Sequence, residues 1–283
     1  MKALLTTKSV LLLSALSLSA QAELKPMDDA SMEDTVGQAY IEMDSYLDTD
    51  SNQVSRVTFG QDIKVQTNID SITLGGGYDN GNGLGTDFSA TDFSLGYINA
   101  SNDIVPFTFT NPYIEWVTDA TNNIVGFRVG ADEAKGILQA NWSNFSGNID
   151  MTVNGAEGHL FNGVGGTQTG NRATHISDNN TACTDTTECI GLDQLLSLSV
   201  ADSDGSSTAD FFLAFQRTAV NWNTSSGTQA ASKGFFMNIP TDNVITTNGA
   251  GAGTLGYTVE FIDRGIGRWH WYTAPTTNTL FFY

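Results

Sequence analysis

The sequence predicts an all-β protein: a twisted antiparallel sheet folded into a sandwich or open roll, with a short N-terminal helix. Three observations carry this reading. Apolar residues alternate with polar ones over many short segments, glycine is abundant at 29 of 283 residues, and proline is scarce at 5. Alternation with period two is what a strand with one buried face requires, and glycine-rich joins without proline suit tight turns between short strands.

Residues 1–22 read as a secretory signal, with Lys2 and Lys8 at the front, an apolar centre from Val10 to Leu18, and small residues around Gln21, so that cleavage falls between Ala22 and Glu23. Residues 23–44 form an acidic N-terminal arm. Within it Pro26 opens a helix, Asp28 and Asp29 sit in its first turn, and Gly37 stops it near Val36. Residues 45–283 make a single β-rich domain with a loop insertion at about 155–191.

The chain carries 31 acidic residues against 12 basic ones, a formal net charge of −19. This excludes nucleic-acid binding, which depends on Lys and Arg neutralising phosphates, and disfavours anionic lipid surfaces. Cations or basic partners are more natural, and solubility alone is the plain account of the charge. No apolar run after the signal is long enough for a transmembrane helix. Cys183 and Cys189, separated by TDTTE, predict a small disulfide loop in an oxidising compartment.

Along the chain, Val57 to Leu74 reads as a half-buried strand whose apolar parity changes after Ile69, predicting a bulge near Asp70-Ser71. GGGYDNGNGLG, residues 75–85, is a loop, and residues 87–98 form another strand. From Pro106 to Val153 the alternation is most regular. Asn122-Asn123 joins Tyr113–Val117 to Ile124–Val129 as a hairpin, Ala131–Lys135 turns the chain, and Gly136–Trp142 and Phe145–Val153 complete an antiparallel meander of four short strands. Glu115 and Arg128, 13 apart across the hairpin, are expected to pair for structure, with Gly126, Gly130, Gly136 and Gly147 marking bends or close approaches. Strands resume at Leu195–Val200, Asp210–Trp222, Gly234–Ile239 and Tyr257–Ile262, followed by Trp269-His270-Trp271-Tyr272 and the terminal Thr279-Leu280-Phe281-Phe282-Tyr283.

The arm residues Leu24, Pro26, Met27, Asp29, Met32, Val36, Gly37, Gln38, Ala39 and Ile41 carry a resemblance. They resemble the N-terminal signature LxPMxDxxMxxVxGQA of an uncharacterised family of exported gammaproteobacterial proteins, some members of which bear a pilus-system (Fil-type) label. Tyr40 stands where that family usually has glycine. Asn111–Glu115, Ile124–Gly130, Glu133–Gly136 and Ser146–Ile149 resemble the same group, as do Phe211–Trp222 and Lys233–Pro240 more loosely. The resemblance implies a non-catalytic structural or interaction protein of the envelope or cell surface, associated with a pilus or with adhesion. Its partners would be other envelope or pilus-system proteins.

Asp48-x-Asp50-x-Asn52 has the opening spacing of a calcium loop, but Gln53 and Phe59 occupy the positions where a helix-loop-helix site needs glycine and glutamate. Asp202-x-Asp204-Gly205 is a second carboxylate-rich loop. Calcium at either is weighed against a solvated turn, which selects the same residues and is the favoured account. No other cofactor is expected. His159, His175 and His270 lack metal-ligand spacing, no GxSxG occurs, and no helix follows the glycine loop, so no catalytic motif is present and the protein is not expected to be an enzyme. Near Gly37–Ala39 the arm resembles the acidic leaders that papain-like peptidases cut, against which stands an arm docked on the sheet. The terminal Phe281 and Tyr283, with the aromatic cluster before them, raise the alternative of an outer-membrane β-barrel.

Overall fold

The computed structural model describes residues 40–79, 83–99, 101–184, 189–248 and 256–260. The signal with its cleavage site, the arm helix, the Gly37–Ala39 region and the C-terminal aromatic residues lie outside them. The described residues all belong to one compact unit beginning at Ala39.

The fold is all-β, and thirteen of the described strands form one large, mixed, mostly antiparallel open sheet. The longer strands are β1 (Tyr40–Leu47), β2 (Gln53–Gly60), β3 (Asp62–Val65), β4 (Thr67–Leu74), β5 (Phe88–Leu95), β6 (Phe107–Thr118) and β7 (Ile124–Asn144). They continue with β8 (Gly147–Val153), β9 (Ser197–Val200), β10 (Phe212–Gln216), β11 (Val220–Thr224), β12 (Gly227–Ala231), β13 (Gly234–Asn248) and β14 (Gly256–Glu260). The main path runs β1-β2-β6-β7-β10-β13-β8, with β3 on β6, β5 and β9 on β7, β4 on β5, and β14 on β13.

The pivot of this arrangement is β7, a single strand of 21 residues. The turn expected at Ala131–Lys135 and the separate strand at Gly136–Trp142 are not found. Ala131 and Ala134 are small and buried, and the chain runs on extended through them. Lys135 is the last residue paired with β6, and Gly136 the first paired with β9. Gly136 has φ 150°, and a Cβ there would lie 2.8 Å from the Phe107 ring, so the change of partners occurs where only glycine fits.

The main core joins the two halves of the sheet. Phe88 of β5 packs edge-on against Trp142 of β7, Phe145 and Phe235 of β13, with centroids 5.6, 6.3 and 5.3 Å apart. Ile149, Met151 and Val153 of β8 and Leu198 and Val200 of β9 join the same cluster. Each such large side chain contributes roughly 1.5–3 kcal/mol on burial. The indole N–H of Trp142 donates to the Leu195 carbonyl at 2.7 Å, so its polar atom enters the core satisfied. A smaller cluster, with Val54, Val117, Phe212, Ala214, Trp222 and Phe236, involves the β11–β12 hairpin.

Other expectations are corrected. The segment 147–153 is not an antiparallel neighbour of β7; it pairs parallel with β13, giving the sheet its mixed character. Residues 155–191 are not a plain loop: 159–161, 175–177 and 189–191 form a small three-stranded sheet. Its apolar residues come in runs too short to show a period, yet Leu160, Ile176 and Ile190 are buried in the main core and Phe161 with the two cysteines. Asp210–Trp222 is split into β10 and β11, and the segment between it and Gly234, where no strand is expected, contains β12. Near Asp70 the pairing of β4 with β5 keeps its register, with Asp70 and Asp92 both skipped and Asp92 at φ 54°. The apolar parity therefore changes without an inserted residue.

Candidate functional site

The hairpin of β6 and β7 places Glu115 directly opposite Arg128, and the pairing of β6 with β2 places Glu115 directly opposite Arg56. The expected Glu115–Arg128 pair is present, with Arg128 Nε donating to Glu115 Oε2 at 2.5 Å. Arg56 Nη2 donates to the same oxygen at 3.2 Å, and the Tyr46 hydroxyl donates to Oε1. Asp44 lies opposite Arg56 on β1. One rung of the sheet thus reads Asp44, Arg56, Glu115, Arg128 across four strands, alternating in sign.

Glu115 and Arg128 are fully buried. The two terminal nitrogens of Arg128 have no hydrogen-bond partner among the described residues. The guanidinium instead lies among aromatic rings, 5.3 Å from the centroid of Tyr113, 4.9 Å from Phe212 and 5.0 Å from Trp222. Such ring faces attract a desolvated cation by about 2 kcal/mol or more. Space for them is made by the glycines flanking Arg128 in the strand. A Cβ at Gly130 would meet the Tyr113 ring at 2.7 Å, and one at Gly126 would meet Trp222 at 3.1 Å. Glycine at both positions lets aromatic rings close over the cation.

Beside this rung lies an open groove of about 490 Å³ lined by Asp44, Tyr46, Arg56, Tyr113, Asp132 and Asp210, among others. Arg56 stacks on Tyr113 with 4.0 Å between guanidinium carbon and ring centroid and approaches Asp132 at 3.7 Å. Burial alone would lower the Arg56 pKa, but Glu115, Tyr113 and Tyr46 together more than reverse this and the net shift is upward. Burial, then the hydrogen bond to Glu115, raises the Tyr46 phenol, and burial raises Tyr113. A carboxylate receiving three charged or polar donors, beside phenols held neutral, is arranged for rigidity rather than for proton transfer.

On the opposite side chains of the same strands, the next rung reads Met43, Val57, Ile114, Val129, Leu213, and the following one brings Trp116, Phe127 and Phe215 into line. Met43, Phe127, Val129 and Phe215 are exposed. Leu213 packs on the main core and the Phe215 ring meets Phe235 at 5.2 Å, so the apolar strip continues from the core out to β1.

A second buried ion pair lies elsewhere. Arg172 Nε donates to Asp87 Oδ1 at 3.0 Å, and its terminal nitrogens donate to the carbonyls of Gly83 and, at 3.1 Å, Tyr78. Asp87 also accepts the Phe235 N–H at 2.9 Å and the Tyr78 hydroxyl. Tyr78 and Gly83 of the glycine-rich stretch therefore hold an arginine of the 155–191 segment. Burial, with the Asp87 bond, pushes the Tyr78 phenol up to about 12.

Asp48, Asp50 and Asn52 occupy the β1–β2 turn. Asp48 Oδ1 accepts the N–H groups of Asp50 and Asn52 at 2.9 and 2.7 Å, and Oδ2 accepts the Asn52 side-chain amide at 2.9 Å. Asp50 Oδ2 accepts from Asn221 at 2.9 Å. The same bonds recur from Asn99 and from Asp119: each side chain accepts the N–H groups two and four residues on, and the third residue on has φ 66° or 61°. At 202–206 the backbone bonds repeat, with Asp204 holding Ser206. In the β6–β7 turn the Thr121 hydroxyl, then the Asn123 N–H, pull Asp119 down to about 2. Asn122 lies inside this five-residue turn, so the expected hairpin is present with a longer loop. The D-x-D-x-N spacing is thus accounted for by turn chemistry. Among the described residues no group of three or more His, Cys, Asp or Glu could hold a metal ion.

Cys183 and Cys189 form a disulfide, with Cα atoms 5.4 Å apart and both residues buried with Phe161. His159 and His175 stand on neighbouring strands but not opposite one another, and bond to Gln168 and Thr174. No helix among the described residues is long and apolar enough to cross a membrane, which says nothing about strands.

The fold and this rung define an open-sheet β protein with one face that sets an internally paired charged rung among buried apolar and aromatic side chains and one apolar, partly uncovered face. Residues 1–103 match a family of unknown function (DUF6160), a stretch that includes Arg56 and β1 but stops short of Glu115 and Arg128. No curated protein and no solved structure matches the chain.

Proposed function

We propose that this is a non-catalytic structural or interaction protein of the bacterial envelope or cell surface, associated with a pilus or adhesion system. The observation that supports the reading is the apolar strip over β1, β2, β6, β7 and β10, exposed at Met43, Phe127, Val129 and Phe215. Contiguous apolar surface of this kind marks an interaction site, and here it is rigidly presented by a paired sheet. The charged rung on the other face keeps those strands in register, so its role is positioning.

Fractionation of the exporting cells tests this. Release by osmotic shock or mild shear is the expected result. Retention in outer membranes after carbonate washing, with heat-modifiable migration, would overturn it in favour of the outer-membrane β-barrel, in which the apolar strip would face lipid.

A further inference from the structure

We propose that the outer edge of β1 is a docking site for an extended segment of another protein in which apolar residues alternate with Lys or Arg. The inference rests on the interaction reading above and names the partner's chemistry. β1 is the end of the strand order, and among the described residues it pairs with β2 alone, over eight consecutive positions from Tyr40↔Gly60 to Leu47↔Gln53. Sheet edges are ordinarily guarded by charged side chains, above all Lys, by Pro, by a bulge or by very short length. Of these YIEMDSYL has only the carboxylates Glu42 and Asp44, which turn away acidic strands but not basic ones.

The side chains of β1 specify what an added strand must carry. Ile41, Met43 and Leu47 are 55, 77 and 64% exposed, and Met43 begins the apolar rung that runs through Val57, Ile114, Val129 and Leu213. On the other face stand Glu42 and Asp44, both exposed. Asp44 is the outermost member of the rung that alternates in sign through Arg56, Glu115 and Arg128. A strand hydrogen-bonded to β1 extends both rungs by one place. It therefore needs an apolar residue beside Met43 and a base beside Asp44, with another opposite Glu42.

A second copy of this chain pairing β1 to β1 does not meet that need. The two longest antiparallel registers that set apolar beside apolar, centred on Met43 and on Asp44, bring Glu42 against Asp44 or Asp44 against Asp44 of the copy, since β1 contains no basic residue.

The test uses the full exported chain and two labelled ten-residue peptides of valine and lysine, one strictly alternating and one with the same residues in two blocks. Fluorescence anisotropy at about 0.15 M salt keeps long-range attraction screened. The alternating peptide binds and the block peptide does not. Reversal by Glu42→Lys with Asp44→Lys, at exposed positions where folding is checked by circular dichroism, weakens binding about tenfold or more and confers binding of an alternating valine–glutamate peptide. Equal binding of both lysine peptides, or binding indifferent to the reversal, overturns the proposal. So does a dimer in sedimentation that the reversal abolishes, because a second copy would then occupy the edge. Outer-membrane retention in the fractionation above would sink the functional reading while leaving the peptide result to be judged by itself.

Discussion

The two buried ion pairs, Glu115 with Arg128 and Asp87 with Arg172, do opposite jobs with similar parts. Arg172 gives its donors to a carboxylate and to backbone carbonyls, and Asp87 in turn accepts a backbone N–H, so this cluster stitches loop to sheet. Arg128 gives one donor to Glu115, leaves its terminal nitrogens against rings, and lies within a ladder of paired strands. The first ties segments distant in sequence to one another; the second fixes the register of strands already paired. A one-residue slip of β2 or β7 against β6 would move a charge to the apolar face, so the rung penalises misregister far more than an apolar rung would.

The largest expected effect breaks both clusters. Glu115→Ala leaves Arg128 buried and unpaired and should cost about 3–5 kcal/mol in denaturant unfolding. Asp87→Ala should cost a similar amount but differ in kind: limited proteolysis should open residues 155–191 in that variant and not in the Glu115 variant. If both variants are nicked alike, the division of labour is wrong.

Next in size is Gly130→Ala, where the added methyl meets the Tyr113 ring and the Phe211 carbonyl at 2.7 and 2.9 Å. Overpacking of this kind costs about 1–3 kcal/mol, read from the same denaturation curves. Arg56→Met should cost less, about 1 kcal/mol, because its partner Glu115 keeps Arg128 and Tyr46. A loss as large as that of Glu115→Ala would show that Arg56, not Arg128, is the essential counter-charge.

The smallest expected effect is alkaline. Tyr46 and Tyr78 each donate to a buried carboxylate, and both phenols are raised above their ordinary value. A phenol whose folded pKa is raised contributes stability that is fully present below its unfolded value of about 10 and is lost as pH rises through the folded one. Ultraviolet titration should therefore show both ionising late, Tyr78 near 12, and Tyr46→Phe or Tyr78→Phe should flatten the stability loss above pH ~10. Normal titration of either phenol would remove it from its cluster.

The Glu115–Arg128 contact was readable in the sequence because a hairpin fixes register locally and the residues face each other across it. Arg56 was not, because it reaches Glu115 from 59 positions away through a pairing that no local pattern encodes. Asp87 and Arg172 are further apart still. The unity of β7 was hidden for a different reason: Gly130, Asp132 and Gly136 are turn-forming residues by composition, and the pairing with β6 and the burial of Ala131 and Ala134 keep that stretch extended. Likewise DTDSN is a spacing that a turn and a cation loop share, and in the structure Asp48 accepts the turn's own N–H groups.

Because β7 pairs with β6 and β10 in its first half and with β5 and β9 in its second, the two halves of the sheet have one strand in common. Neither half can melt without stripping hydrogen bonds from the strand the other depends on, so the described sheet should denature as one cooperative unit. For a molecule pulled upon at its β1 edge, tension would pass strand by strand to β7 and be shared there between both halves of the sheet instead of peeling one away.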